Sequence, residues 1–294
     1  MFYRRKVLLA LIQKSGGRIG HYRLQKLMFL ASREQQDPAY HFVPYRFGSF
    51  SFESYADLRA LVKQGVVKET KSDWELLAGK DFFAELRAED RALVHRVSEE
   101  FRSLSEDELI RLTYQRFPFF AIHSEVAAKL LNRQELDAVE AVRPKGEGRK
   151  LFTLGYEGLS VEEYLLKLIE NDVKVLCDVR KNAMSMKYGF AKSTLAKNCE
   201  RFNIEYVHLP GLGIDAGFRK ELKTRQDYFD LFEDYKARTL PHTASEQEVI
   251  LSKLAEKGRL ALTCFESDHQ LCHRSRVADA LVQTPGWEPQ LAHI

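Results

Sequence analysis

Residues 173–180, with the sequence VKVLCDVR, decide the fold of the C-terminal half of this chain. Most residues of the segment are apolar until Asp178, and a short apolar run of this kind is typical of a strand that is buried on both faces of a sheet. Helical patterns flank it at residues 161–170 and 192–201. A buried strand between two helices predicts a mostly parallel sheet with helices on both faces.

The alternation of strand and helix continues in both directions from this segment. It begins after a short charged linker, residues 143–150, that contains proline and glycine. The further predicted strands are residues 151–156, 204–209, 259–265 and 290–294, and the further predicted helices are residues 226–237, 245–256 and 273–282. We therefore predict an α/β domain over residues 151–294, with the strand at 173–179 in its centre and a ligand site at the carboxyl ends of the strands.

The N-terminal half follows a different pattern. Three stretches have helical periodicity, and a predicted β-hairpin at residues 66–77 follows them. The three predicted helices are residues 4–14, 21–33 and 52–64. Three helices followed by a hairpin is the order of a winged helix, and helical patterns continue through residues 82–132. We predict a first domain over residues 1–142, a winged-helix-like α+β module with a helical extension.

Composition narrows the class of protein. The chain has 294 residues and a net charge of +3, yet its first 70 residues carry twelve Lys/Arg against five Asp/Glu. A basic module of this kind fits a polyanion partner and fits a solvated surface equally well. The apolar run at residues 7–12 is far shorter than the ~20 residues of a membrane span, and no signal-peptide cleavage pattern follows it. Four dispersed cysteines do not make a disulfide scaffold, so we predict a cytoplasmic protein with no membrane partner.

Polar residues follow the predicted strands. Asp178 and Arg180 lie two positions apart at a strand end and therefore point the same way. The arginine can hold a phosphate or carboxylate while the aspartate acts as a base, or the two can form a pair that only fastens a loop. Glu157 and Glu266 follow two other strands and can either do acid–base work or hold arginines in place.

Residues 272–275, CHRS, begin the last predicted helix. A thiol at this position has a lowered pKa because the helix dipole and nearby cations favour the thiolate, so Cys272 is a candidate nucleophile. The same backbone can instead bind an anion, or the loop can be purely structural. Cys264, His269, Cys272 and His273 lie close together in sequence, but they lack the paired spacing of a structural zinc site, so we predict no metal and no cofactor.

Several segments in combination resemble the DUF488 family, a domain of unknown function. These segments are GYEG at 155–158, DVR at 178–180, KYGF at 187–190, YVHLP at 206–210 and the ending formed by CFE at 264–266 and CHR at 272–274. The resemblance implies a Rossmann-like α/β domain that is an enzyme or binds a ligand. The strand ending in DVR and the cysteine-bearing loop are also similar in part to rhodanese-type sulfurtransferases, whose catalytic loop is longer.

The N-terminal half resembles winged-helix-like domains of the SocA/Panacea antitoxin group. The segments concerned are LQKL at 24–27, YRFGSF at 45–50 and TYQRFP at 113–118. This resemblance implies a protein-binding or nucleic-acid-linked module. Basic residues in this half can follow a phosphate backbone, whereas the aromatic residues around them fit a core. The predicted nucleic-acid contacts, with DNA as the expected partner, are Arg23, Lys26, Arg46, Arg59 and Lys63.

Both halves together predict a nucleic-acid-associated enzyme of nucleic-acid processing or defence. Its α/β domain would bind and transform a phosphorylated or nucleic-acid-derived ligand by acid–base chemistry, and the protein is a candidate homodimer. The predicted catalytic residues are Asp178, Arg180, Glu266, Glu157 and Cys272. The predicted ligand-binding residues are Tyr156, Lys187, His208, Cys264, His273, Arg274 and Ser275. The alternatives are a non-enzymatic regulator that senses a ligand and binds DNA, and a rhodanese-like thiol sulfurtransferase.

Overall fold

The computed structural model describes residues 1–77, 79–219 and 222–294. These residues form two compact units, Met1–Arg143 and Pro144–Ile294. Among the helices of the described residues, none has both the length and the apolar character that crossing a membrane requires.

The first unit combines a helical core with two small antiparallel sheets. Its elements are α1 (Tyr3–Lys14), β1 (Arg18–Gly20), α2 (His21–Ser32), β2 (Val43–Tyr45), β3 (Gly48–Phe50), α3 (Phe52–Lys63), β4 (Val67–Glu69), β5 (Asp73–Leu76), α4 (Ala88–Glu100), α5 (Glu106–Arg116), α6 (Ala127–Leu130) and α7 (Arg133–Ala141). One sheet has the order β1-β5-β4, and β2 pairs with β3 in the other. The three helices and the hairpin at 66–77 are confirmed, and β1 is an addition to them.

The centre of this unit forms around α1 and α2. Residues 7–12 of α1 and 24–32 of α2 are buried on all sides of their helices, as expected for helices inside a core. Trp74 of β5 is buried as well and lies 4.8 Å from the His21 ring, measured between centroids. A capping box fixes where α5 begins, since the Ser105 side chain accepts from the backbone N–H of Glu108 and the Glu108 side chain accepts from the backbone N–H of Ser105.

The second unit alternates strand and helix, as predicted. Its elements are β6 (Lys150–Gly155), α8 (Val161–Glu170), β7 (Val175–Asp178), α9 (Lys192–Glu200), β8 (Glu205–His208), α10 (Arg225–Arg238), α11 (Ala244–Lys257), β9 (Arg259–Cys264), α12 (His273–Val282) and β10 (Gln290–His293). The strands form one sheet in the order β10-β6-β9-β7-β8, and every neighbouring pair is parallel. The α/β fold class with a parallel sheet is thereby confirmed for this unit.

The prediction for the centre of the sheet is wrong. β9 occupies the middle position, between β6 and β7, while β7 lies between β9 and the edge strand β8. All six residues of β9 are buried, as a strand covered on both faces requires. The central strand therefore contributes Cys264 to the carboxyl edge, directly beside the end of β6.

Candidate functional site

The carboxyl ends of the parallel strands bring the predicted polar residues to one edge of the sheet. Gly155 of β6 is in register with Cys264 of β9, and Asp178 of β7 is in register with His208 of β8. Because the strands are parallel, the residues that follow them leave the sheet at the same edge, where ligands bind in folds of this type. Two clusters form there, one around Asp178 and one around Cys264.

Asp178 and Arg180 form a buried ion pair at the end of β7. Arg180 Nε donates to Asp178 Oδ1 at 2.8 Å, and Nη2 donates to Oδ2 at 2.5 Å. The Tyr206 hydroxyl of β8 donates to the same Oδ2 at 2.5 Å. The Asp178 and Arg180 side chains are 0% and 6% exposed, so the charges neutralise each other away from water. A bidentate buried pair with a third donor is a rigid arrangement.

The rest of the Arg180 guanidinium holds neighbouring segments. Its Nη1 donates to the Tyr156 hydroxyl at 2.8 Å and to the Phe190 carbonyl at 3.0 Å, and the Tyr156 and Phe190 rings stack at 4.3 Å between centroids. Burial lowers the pKa of Arg180, but the hydrogen bonds and charge of Asp178 outweigh it, so the pKa lies above its ordinary value. Arg180 is thus a permanent cation whose contacts are internal, and the geometry favours loop fastening over direct phosphate binding for this residue.

Tyr206 connects the buried pair to an open surface. Its side chain lines a groove with a cavity volume of about 600 Å³, which we name the Tyr206 groove; its wall includes Met184, Met186, Lys192 and Ser193. Both methionines are among the most exposed apolar residues of the chain. Burial and the neighbouring Asp178 raise the pKa of Tyr206, so its hydroxyl keeps its proton. Tyr206 lies in the sequence motif YVHLP, but it was not among the predicted site residues.

His208 and Lys187 hold the segment that covers the strand ends. His208 Nε2 lies 2.9 Å from the Arg180 carbonyl oxygen, and Lys187 Nζ donates to the Tyr156 carbonyl at 2.9 Å. The segment of residues 181–191, which follows Arg180, is therefore anchored from both β6 and β8. Lys181 in the same segment is exposed.

The second cluster contains two thiols, an imidazole and a carboxylate. Cys264 Sγ lies 3.7 Å from His273 Nδ1 and donates to Glu266 Oε2 at 3.2 Å. Cys272 is only 1% exposed. Burial, followed by the hydrogen bond and charge of Cys264, raises the pKa of Cys272 well above its ordinary value. The geometry therefore favours a neutral thiol at Cys272 over the thiolate that its position before α12 suggests.

The remaining predicted site residues brace the loop between β9 and α12. Arg274 Nη1 donates to the Glu266 carbonyl at 2.5 Å, and Nη2 donates to the Ser267 carbonyl at 3.1 Å. The Ser275 hydroxyl donates to the His269 carbonyl. The Glu157 carboxylate accepts from the backbone and the hydroxyl of Ser267 at 3.0 and 3.2 Å. These contacts shape the loop at residues 265–272.

The basic residues predicted to contact nucleic acid divide into two groups. Lys26 is 2% exposed and donates to the Ser49 carbonyl at 3.0 Å, and Arg23 donates to the carbonyls of Phe101 and Leu104 at 2.5 and 2.7 Å. Lys26 is therefore a wrong prediction as a surface contact, because α2 is buried on the face that carries it. The exposed predicted residues are Arg46, Arg59 and Lys63. Arg59 and Lys63 lie one turn apart on α3, and Arg46 Nε is 3.4 Å from Glu125 Oε1.

An aromatic cleft in the first unit was missed by the sequence analysis. Its cavity volume is about 460 Å³, and its lining includes Tyr22, Tyr45, Phe47, Trp74 and Lys26. The rings of Tyr22 and Phe47 lie 4.6 Å apart between centroids. From the sequence, these aromatic residues fit a core; the signal for a cleft was the density of aromatic residues between 40 and 52, beside basic residues.

Comparison with known protein families agrees with this description of the second unit. Residues 160–281 match the family described as "Domain of unknown function DUF488". The match confirms the resemblance of the C-terminal half and covers Asp178, Arg180, Tyr206, Glu266 and Cys272. No curated protein matches the chain. The resemblance of the N-terminal half to the SocA/Panacea group stays a prediction.

Proposed function

We propose that this protein is a nucleic-acid-associated enzyme of nucleic-acid processing or defence, whose α/β unit binds and transforms a phosphorylated or nucleic-acid-derived ligand. One observation carries the proposal. The Tyr206 groove places an open binding surface against a tyrosine hydroxyl that is bonded to the buried Asp178–Arg180 pair. A surface joined to a desolvated charge pair in this way is a typical candidate site.

The lining of the groove fits a ligand with an anionic part and a planar apolar part. Lys192 is the first residue of α9, so a phosphate placed there meets an ammonium and the positive end of the helix dipole. Ser193 adds a hydroxyl beside it. Met184 and Met186 supply flexible, polarisable contacts for a flat ring system. A nucleotide has both parts.

The chemistry we propose is removal of a proton from a ligand hydroxyl or water. Tyr206 donates its own proton to Asp178 at 2.5 Å and also bonds Arg180, which leaves one lone pair of its oxygen to accept from the ligand. As the ligand proton moves to Tyr206, the tyrosine proton moves to Asp178, and the negative charge passes from Asp178 to the deprotonated ligand oxygen beside Tyr206, while Arg180 holds the Asp178 side chain in position. The raised pKa of Tyr206 disfavours a free tyrosinate, so both transfers occur together. Glu266 is engaged with Cys264, and we assign the proton transfer to the groove instead.

For the first unit we propose a winged-helix-like module that binds DNA weakly. The support is the order of α1, α2, α3 and the β4–β5 hairpin, with Arg59 and Lys63 exposed on α3 and Lys68 exposed on β4. Exposed basic residues of a helix and an adjacent hairpin can contact the phosphates of a duplex. A cytoplasmic location and a homodimer stay predictions.

Ligand binding is tested by isothermal titration of nucleoside monophosphates and of inorganic phosphate into the full chain. Lys192→Ala should weaken binding of the best nucleotide about tenfold, since one charge-assisted contact is worth about 1.5 kcal/mol. Lys257→Ala is the matched control, because Lys257 is an exposed lysine of the same unit and lines neither the Tyr206 groove nor the neighbouring groove that shares Tyr206. Equal losses in both variants, or no binding by the wild-type chain, would refute the proposed site.

Turnover separates the enzyme from the ligand-sensing regulator. With a nucleotide that binds, chromatography should detect product with the wild-type chain, and Tyr206→Phe should bind the ligand and form no product. A wild-type chain that binds ligand and DNA without any product would favour the regulator. The sulfurtransferase alternative receives less support, because Cys272 is buried and its pKa is raised.

DNA binding is tested by fluorescence anisotropy with a labelled duplex at low and at moderate salt. The triple variant Arg59→Ala/Lys63→Ala/Lys68→Ala should weaken binding and reduce its salt dependence by about one unit of slope per lost phosphate contact. Arg96→Ala is the control, since it removes a cation of the same unit that is paired with Glu34 at 2.5 Å. Absence of any anisotropy change with the wild-type chain at low salt would point to a protein-binding module.

A further inference from the structure

We propose that Cys264, Cys272, His273 and Glu266 form a binding site for a zinc ion in the α/β unit. The inference is independent of the proposed function, since the site lies at the β9–α12 loop and shares no residue with the Tyr206 groove. These residues lack the paired sequence spacing of a structural zinc site, but the fold brings their side chains together.

Three of the four candidate ligand atoms, those of Cys264, Cys272 and His273, are already close to coordination spacing. The two Sγ atoms and a ring nitrogen of His273 all lie within 4.8 Å of one another. Cys264 Sγ is 3.7 Å from His273 Nδ1 and 3.2 Å from Glu266 Oε2. Zn–S bonds of about 2.3 Å and Zn–N bonds of about 2.0 Å in a tetrahedron place neighbouring ligand atoms roughly 3.5 Å apart. A zinc ion can therefore bind between the two thiols and the imidazole with small side-chain movements, and the Glu266 carboxylate, which already contacts Cys264, would move further to complete the tetrahedron.

His273 is held in the orientation that a metal ligand needs. Its Nε2 lies 2.9 Å from the carbonyl oxygen of Val179, which can only accept, so Nε2 carries the proton. The lone pair is then on Nδ1, the atom that faces Cys264. Metal-bound histidines nearly always donate their second nitrogen to a carbonyl or carboxylate in this manner.

The chemistry of the four groups selects zinc. Two thiols, an imidazole and a carboxylate make a mixed sulfur, nitrogen and oxygen set, which suits a tetrahedral zinc ion and does not suit magnesium or calcium. Cys264, Cys272 and His273 are each 1% exposed, so the set resembles a closed structural site. A dication also compensates the two thiolates that form when the ion binds and the thiol protons leave.

The position in the fold gives the ion a structural role. Cys264 is the last residue of β9, and Cys272 immediately precedes α12. An ion bound to both closes the loop of residues 265–271, which Arg274 and Glu157 also brace. We therefore expect metal binding to raise the melting temperature of the protein.

The experiment uses the full chain, stripped of metal with a chelator and then titrated with Co²⁺ as a spectroscopic substitute for Zn²⁺. We expect one equivalent of Co²⁺ to bind, with thiolate-to-cobalt charge-transfer absorption and the intense visible bands of a tetrahedral cobalt ion. Added Zn²⁺ should displace Co²⁺, remove both absorption features and raise the melting temperature of the protein. Cys264→Ser and Cys272→Ser should each weaken Co²⁺ binding by more than the roughly 10–100-fold that loss of an outer partner costs. Glu266→Gln should weaken it less, because a sulfur–nitrogen set of three remains.

Cys199→Ser is the matched control, since Cys199 is buried in α9 and belongs to another part of the unit. It should bind Co²⁺ as the wild type does. The wild-type spectrum keeps the test decisive even if a serine variant fails to fold. Failure of the wild type to bind Co²⁺ or Zn²⁺, cobalt bands without a thiolate contribution, or an equal loss in Cys199→Ser would overturn the proposal.

Discussion

Replacing Asp178 by asparagine keeps the shape of the side chain and removes its charge. In the wild type the carboxylate accepts from Arg180 Nε, from Arg180 Nη2 and from the Tyr206 hydroxyl. The asparagine amide has one acceptor oxygen and presents N–H donors toward the others. The buried Arg180 then becomes a cation that has lost its counter-ion. Removing one partner of a buried pair costs about 3–5 kcal/mol, a large part of the 5–15 kcal/mol that stabilises a typical domain.

Urea denaturation followed by circular dichroism measures this loss. Tyr206→Phe removes one hydrogen bond to a charged group and should cost about 1.5–3 kcal/mol. The double variant Asp178→Asn/Arg180→Met should be more stable than the sum of its single variants predicts, because no unpaired cation remains. The reasoning is refuted if Asp178→Asn costs less than about 1 kcal/mol, or if the double variant shows the plain sum of the single losses within about 0.5 kcal/mol.

Three further predictions concern buried groups. Burial lowers the pKa of Lys26 from 10.5 to about 7. Between pH 7 and pH 10.5 the unfolded chain therefore holds a proton that the folded chain has released, so the free energy of unfolding should rise with pH across this range. Denaturation curves taken across the range should show that rise for the wild type and not for Lys26→Met. All four cysteines are buried, and burial raises the pKa of Cys177 to about 12. A thiol reagent should therefore label the native chain slowly, and it should label all four thiols only after denaturation. Fast stoichiometric labelling of Cys272 in the native chain would contradict this and favour sulfur transfer. Gly48 has a φ of +90°, and a Cβ there would lie 2.4 Å from the Tyr114 ring, whereas Gly65 has a φ of +68° and open space around it. In thermal melts, Gly48→Ala should therefore lose about 1–3 kcal/mol more stability than Gly65→Ala.

The elements of the second unit were predictable because each carries its own local pattern. Residues 151–156 and 259–265 are apolar runs, and the helix at 161–170 has a clear apolar face with a capping box at Ser160 and Glu163. The order of the strands was not predictable, since the position of β9 between β6 and β7 depends on pairing between distant segments. In the first unit, β1 has only three residues, too few to show a period of two.

The sequence predicted which residues lie together at the candidate site but not the direction of their contacts. Alternation along a strand places Asp178 and Arg180 on one side, and the structure confirms that they lie together. The alternation carries no information about the segment at 181–191, whose Phe190 carbonyl accepts from Arg180. Lys26 shows the same limit, because a lysine between Gln25 and Leu27 gives no local sign that its helix is buried all round.

The covering segment moves the ligand surface away from the strand ends. Without it, the carboxyl edge would expose Asp178 and Arg180 directly, as the sequence suggested. With Phe190 stacked on Tyr156, and with Lys187 bonded to the Tyr156 carbonyl, the segment covers that edge, and its methionines form the wall of the Tyr206 groove. In the proposed function, a ligand would therefore meet the charge pair through the Tyr206 hydroxyl. A pair too buried to bind phosphate could then still act in the chemistry we propose, since the charge of Asp178 would reach the ligand through the one short hydrogen bond to Tyr206.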